Sequence, residues 1–185
     1  MKGCRVLTSE EVKNVLQIAD VRDKGIFLTQ LTFGSRISET LELTFGDVTG
    51  KYLALKSSKG SDNQSFPIPE SYKAVIAELK TSYESDGITV NPSTHLFMSN
   101  KSKFQHKAMT RQQASNIISK LCNALGIEGK VNTHSFRKNF VSKIYEMLEY
   151  NIVETQTYSR HKNLSNLQYY IATTGNTDKV LDLVW

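Results

Sequence analysis

The sequence predicts a mainly α-helical fold that carries one small antiparallel β-sheet, an α+β arrangement. Three observations point to it. Two capping boxes, Thr8-Ser9-Glu10-Glu11 and Thr110-Arg111-Gln112-Gln113, each precede apolar residues at helical spacing. Phe136, Phe140, Val141, Ile144 and Leu148 recur at i, i+4, i+5, i+8 and i+12, the spacing of a buried helical stripe. KYLALK at 51–56 alternates in polarity and QSFPI at 64–68 is extended, with a Ser/Gly/Asp/Asn-rich turn between them, so this pair reads as a hairpin.

The elements follow in order. A first helix is expected over 9–21, with Val12, Val15, Leu16 and Ala19 on one face. A second apolar segment, 26–33, runs into Gly34-Ser35, and a short helix over 36–43 turns Ile37 and Leu41 inward. After the hairpin, 70–83 reads as a helix, 94–98 as a short strand, and the box at Thr110 opens a helix that stops at Gly126. Thr133 or His134 starts the helix that carries the apolar stripe, and Asn151 caps another to about residue 160. Short helical patterns close the chain at 164–172 and 178–184. Neither a repeat nor a linker divides the sequence, so 1–185 is expected to be a single domain with a tail over about 176–185.

A chain of 185 residues can bury a core without covalent staples. Cys4 and Cys122 lie far apart, without CxxC or Cys/His metal spacing, which suits reduced thiols and a cytoplasmic location. Neither a metal nor another cofactor is expected. No apolar run reaches the length of a membrane span, and the first residues lack the apolar stretch of a signal peptide. The net charge is +5, and its placement says more than its size. Between 87 and 127 there is no Asp or Glu, while Lys101, Lys103, Lys107, Arg111 and Lys120 are present. That stretch is a candidate phosphate-facing surface, with a merely solvated loop and helix face as the alternative.

One residue conflicts with its surroundings. Arg137 falls inside the apolar stripe, and a buried guanidinium must be paired because it cannot shed its proton. His134, one turn earlier, points to nearly the same side. Alone, such an HxxR pattern is more often a structural Arg–carboxylate pair than a ligand site. Further fragments occur in fixed order, however. GSRISETLEL at 34–43 places Arg36 at a helix start after a glycine turn, with Glu39 one turn on. Lys59-Gly60 sits in the hairpin turn, eight residues before Pro67. His161 follows Arg137 by 24 residues and Tyr170 follows His161 by nine.

This order resembles the catalytic domain of tyrosine recombinases, the phage integrase family. There the motifs are a G-x-R-x-S-E helix, a hairpin lysine, H-x-x-R, a second His or Trp, and a tyrosine nine residues beyond it. The resemblance runs over about 7–171 and matches all six positions. It implies the family's mostly helical catalytic fold with a small sheet, and a site-specific recombinase or integrase that cleaves and rejoins DNA through a 3′-phosphotyrosyl intermediate. Double-stranded DNA is then the implied partner, with a tetramer on synapsed sites, a monomer when free, and no membrane. Three positions depart from the family pattern: Ser159-Arg160 stands where Leu-Gly is usual, and Phe136 where Leu is usual. Such enzymes also carry an N-terminal clamp domain, which is expected to be missing here because the sequence starts where the catalytic domain would.

The resemblance implies a role for each residue. Arg36 and Arg137 would hold the scissile phosphate and meet the charge that grows on its oxygens, the task a metal performs elsewhere. Lys59 would protonate the departing 5′-oxygen, His134 would handle the tyrosine proton or donate to the phosphate, and His161 would hydrogen-bond a non-bridging oxygen. Tyr170 would be the nucleophile. Duller readings stand beside these. Arg36 could simply pair with Glu39, and Lys56 competes with Lys59, although the spacing to Pro67 favours Lys59. Tyr169 is adjacent to Tyr170, but a stripe of Leu164, Leu167 and Ile171 would turn Tyr169 away. A type IB topoisomerase, or a DNA-binding regulator that lost cleavage, would share the fold.

Overall fold

The computed structural model describes residues 3–55, 64–100 and 107–161, together with Leu164 and Leu167. In chain order the elements are α1 (Ser9–Ile18), α2 (Val21–Phe33), α3 (Ile37–Leu41), a 3₁₀ turn (Gly46–Val48), β1 (Tyr52–Leu55), β2 (Gln64–Pro67), α4 (Glu70–Ser85), α5 (Arg111–Ala124), α6 (Thr133–Met147) and α7 (Ile152–Ser159). The backbone divides into two compact units, Met1–Phe140 and Val141–Trp185. Among the described residues no helix is long and apolar enough to cross a membrane.

In the first unit the predicted capping boxes form. Thr8 accepts from the Glu11 backbone while the Glu11 carboxylate reaches back to the Thr8 N–H, and Thr110 and Gln113 repeat the arrangement at α5. The first helix is shorter than expected. It stops at Ile18 because Asp20 turns extended and accepts from the backbone of Asp23, which starts α2 at Val21. The helix α2 is covered nearly all round, with Ile26, Phe27, Thr29, Gln30 and Phe33 buried. Phe27 stacks on Phe136 at 4.4 Å between centroids, and Phe33 meets Tyr72 edge-on at 5.0 Å, so α2 sits at the centre of the apolar core.

The strands β1 and β2 pair antiparallel from Tyr52↔Pro67 to Leu55↔Gln64, with Leu53, Leu55 and Phe66 on the core face. The small predicted sheet is therefore present. The turn that joins the strands, 56–63, lies outside the described residues. The expected strand over 94–98 is not formed. That segment is extended but divides its bonds: Leu96 donates to the Leu43 carbonyl and Met98 bridges Ala108, so it forms two isolated bridges and no ladder.

In the second unit, α7 is capped as expected by the Asn151 side chain, which accepts from the Glu154 N–H. Tyr145 and Tyr150 meet edge-on at 5.2 Å. The stripe expected of α6 fades along the helix: Phe136, Phe140 and Val141 are buried, while Ile144 and Leu148 are half-buried. Leu164, expected on a buried stripe, is 39% exposed, whereas Leu167 is buried. The two lie about 60° apart around a helix, so the edge of the covered surface runs between them. The remaining residues of the 164–172 and 178–184 patterns lie outside the described residues.

Candidate functional site

The arginine that conflicted with its stripe is buried, 1% exposed, in the first unit. Its Nη1 donates to the carbonyl oxygen of Gly34. Gly34 is the left-handed C-cap of α2, with φ of 58°, and a Cβ there would run into the ring of Phe140. Only glycine satisfies both demands, the positive φ and the ring of α6 lying against the backbone. A single turn of chain thus accepts from Arg137, admits Phe140 and leads into α3.

Arg36 stands at the N-cap of α3, two residues beyond Gly34. Glu39 fixes it twice, accepting from the Arg36 backbone N–H at 2.7 Å and from Nη1 at 2.8 Å. The pairing that offers the duller reading of Arg36 is therefore present. It is also asymmetric, since the Glu39 side chain is 4% exposed and that of Arg36 34%. A buried carboxylate thus holds the guanidinium of a partly exposed arginine.

The start of α6 places the third residue. Asn132 accepts from the His134 N–H at 2.9 Å, which caps the helix one turn before Arg137. The His134 imidazole is pushed down to about 4 by desolvation, then by the positive charges of Arg137, Lys138 and Arg36. His134 is nonetheless exposed at the surface, where solvent screening trims the shift without changing its sign. The imidazole is thus neutral at pH 7 and stands among three cations. The same helix is fastened to the N-terminal segment immediately after Arg137. Lys138 Nζ donates to the Cys4 carbonyl at 2.8 Å, and Asn139 both accepts from Leu7 N–H at 3.0 Å and donates to Leu7 O at 2.6 Å.

Arg36, His134 and Arg137 are thus brought together in the first unit. His161 belongs to the second unit, where its Nδ1 lies 2.8 Å from Ser159 Oγ and its carbonyl accepts from Gln156 Nε2 at 2.8 Å. Lys59 and Tyr170 lie outside the described residues, as do Lys56 and Tyr169. Sequence reasoning missed the Gly34 carbonyl as a partner of Arg137, and it missed the Lys138 and Asn139 anchors. All three are bonds to backbone atoms 103 to 134 residues away, which no local spacing announces. Among the described residues no group of three or more His, Cys, Asp or Glu could hold a metal.

Chemically, the first-unit cluster offers two guanidiniums and a neutral imidazole with few opposing charges, which suits an oxyanion bearing several oxygens. Lys107, Arg111 and Lys120 are exposed, and Lys101 and Lys103 lie outside the described residues.

Comparison with known proteins converges on one family. The family model described as the phage integrase family matches residues 5–176. A probable integrase/recombinase, YoeC, of Bacillus subtilis strain 168 is 30% identical over 171 residues, which is 92% of this chain and 88% of that protein. Among solved structures, the XerH site-specific recombinase in a post-cleavage complex with palindromic difH substrate superposes with a TM-score of 0.75 at 18% identity, covering 98% of this chain and 53% of that one. XerA recombinase gives 0.71 at 21% identity, covering 89% and 57% respectively. This chain therefore spans a little over half the length of those two recombinases. The chain belongs to the phage integrase family and has the fold of a tyrosine recombinase catalytic domain.

Proposed function

We propose that this chain cleaves and rejoins double-stranded DNA at specific sites, with Tyr170 as the nucleophile. The tyrosine oxygen attacks a phosphodiester, the 5′-oxygen leaves with a proton from Lys59, and a 3′-phosphotyrosyl link keeps the bond energy for rejoining. Arg36 and Arg137 hold the non-bridging oxygens, and His161 hydrogen-bonds one of them. His134, neutral among cations, accepts the tyrosine proton. An imidazole already protonated could not do so.

The observation that carries this reading is that Arg137 is bonded to the turn that leads into Arg36, while His134, one turn earlier on the helix of Arg137, feels the charge of both arginines. Arg137 is 1% exposed, so in this reading the scissile phosphate enters an opened site and does not land on a surface. The comparisons support DNA as the partner. XerH was solved on difH substrate before and after cleavage, and a λ integrase dimer on a COC′ core site. Assembly as a tetramer on two synapsed sites, from monomers in solution, belongs to the same proposal.

The test is incubation with nicked suicide duplexes whose site has been selected from a random library by binding. A covalent protein–DNA band on a denaturing gel is expected. Binding without such a band at any selected site would refute cleavage and leave a DNA-binding module on a recombinase fold.

A further inference from the structure

The turn that delivers Arg36 is also held by Gln30, in the last turn of α2. Gln30 is 0% exposed, on a helix whose Ile26, Phe27 and Phe33 are core residues. Its backbone carbonyl accepts from the Gly34 N–H at 3.0 Å, and its side-chain Nε2 donates to the Ser35 carbonyl at 3.3 Å. The direction of the second bond is forced: a carbonyl oxygen only accepts, so the amide nitrogen must face it. The other amide atom, Oε1, is buried and receives no hydrogen bond among the described residues. What the side chain does for its surroundings as a polar group, it therefore does through Nε2.

The Ser35 carbonyl and the Arg36 N–H are the two poles of one planar peptide group. Gln30 holds the oxygen pole, and Glu39 holds the hydrogen pole, accepting from the Arg36 N–H at 2.7 Å. On the far side of the residue, the Arg36 carbonyl accepts from the Thr40 N–H at 2.9 Å. Glu39 and Thr40 both belong to α3, a helix of five residues, so their bonds would travel with that short element. Gln30 belongs to α2, at the centre of the core. Its bond ties the plane to a body outside α3, as the Arg137 bond ties the plane before it.

We infer that Gln30 is a positioning residue for Arg36: by holding the oxygen pole of the Ser35–Arg36 peptide plane against α2, its amide fixes the direction in which the Arg36 side chain leaves the backbone. This rests on the role of Arg36 under Proposed function. A guanidinium that meets a phosphate through two parallel N–H bonds is sensitive to direction, whereas simple attraction between opposite charges is not. Rotation of the plane would swing the Arg36 fork off the phosphate while leaving its charge in place. Loss of the Gln30 bond should therefore slow cleavage and change affinity little.

Two measurements on the full chain test this, with two variants. Gln30→Met is close to the native residue in length and volume but has no donor. Gln30→Asn keeps an amide that is shorter by a methylene and does not reach Ser35. Amide hydrogen exchange followed by NMR, without DNA, reads the peptide plane directly. In both variants the Arg36 N–H is expected to exchange about tenfold faster than in wild type, the worth of one hydrogen bond, while the N–H groups of Ile26 and Phe27 keep their rates. An unchanged Arg36 rate overturns the inference. Acceleration spread evenly over α2 and α3 in both variants makes Gln30 an ordinary core residue and overturns it too. Single-turnover cleavage of suicide duplex at saturating protein then reads the consequence. Both variants are expected to be slowed about tenfold or more, with the dissociation constant for the duplex changed by less than about twofold. A rate that falls no more than affinity does overturns the positioning role. No adduct from wild type defeats the cleavage reading instead, and the exchange rates alone then decide whether Gln30 fixes the plane.

Discussion

Arg137 donates from Nη1 to the carbonyl oxygen of Gly34, 103 residues earlier in the chain and two residues before Arg36. The bond ties the second arginine of the cluster to the turn that delivers the first. One guanidinium is thus anchored on a backbone atom, which has far less freedom than a side chain, and the other on the buried Glu39 carboxylate. A phosphate clamp that must fit its transition state to within a fraction of an ångström benefits from that stiffness.

Gly34→Ala should be severely destabilising. The left-handed φ costs an alanine about 1–2 kcal/mol, and the clash with Phe140 adds an overpacking cost of about 1–3 kcal/mol. A loss of about 2–5 kcal/mol in urea unfolding is expected. Adding Phe140→Ala should recover the steric part and leave the backbone part, so the double mutant will be less destabilised than the two single effects summed. Simple additivity would show that the ring does not press on the turn.

Glu39→Gln tests the support of Arg36. The carboxylate is buried and makes two bonds to Arg36, and each bond to a charged group is worth about 1.5–3 kcal/mol. Adduct formation should slow about tenfold to a hundredfold while DNA affinity falls much less, because affinity draws on the wider basic surface. An equal loss in both would mean that Glu39 serves only to keep α3 folded.

Stability should fall in two separate pH windows. His134 has a folded-state value of about 4 against an ordinary 6.5, so the unfolded chain binds its proton more readily. Stability present above pH 6.5 is therefore lost as pH falls from about 6.5 toward 4, and His134→Asn should flatten that limb. Glu11 is lowered from 4.5 to about 2, first by its hydrogen bonds from Arg5, so its contribution is lost only as pH falls from 4.5 toward 2. Glu11→Gln should remove the second loss and leave the first. Urea midpoints at about pH 7, 5 and 3 separate the two.

Much of this fold was legible because its signals are local. Thr8 with Glu11, Thr110 with Gln113, and the alternation at 51–56 each act over a few residues, and each formed. Asp20 acts as locally, yet apolar residues continue across it and mask the break between α1 and α2. The extended run at 94–98 has the composition of a strand, but whether it forms a ladder depends on which chains arrive beside it. Residues 43–45 and 107–109 arrive at different ends. The cluster was legible as residue types in order, while its geometry was not. The Gly34 carbonyl has no side chain to betray it, and Asn139 looks like any polar residue until Leu7 lies against it.

Charge reversal on the described part of the basic surface should weaken DNA binding without changing the chemistry. Lys107, Arg111 and Lys120 are exposed on a stretch without acids. For the double variant Lys107→Glu, Arg111→Glu, affinity should drop, and the slope of log K against log salt should shrink by about 0.9 for each phosphate that is no longer neutralised. The cleavage rate at saturating protein should hold. An unchanged slope would place the DNA on another face.

The most direct measurement is peptide mapping of the covalent adduct formed on suicide duplex, together with Tyr169→Phe and Tyr170→Phe. The phosphotyrosyl bond is expected on Tyr170. Tyr170→Phe should abolish the adduct with DNA binding intact, and Tyr169→Phe should retain it. A bond mapped to Tyr169, or an adduct that survives Tyr170→Phe, would contradict the assignment of the nucleophile and the cleavage mechanism built on it.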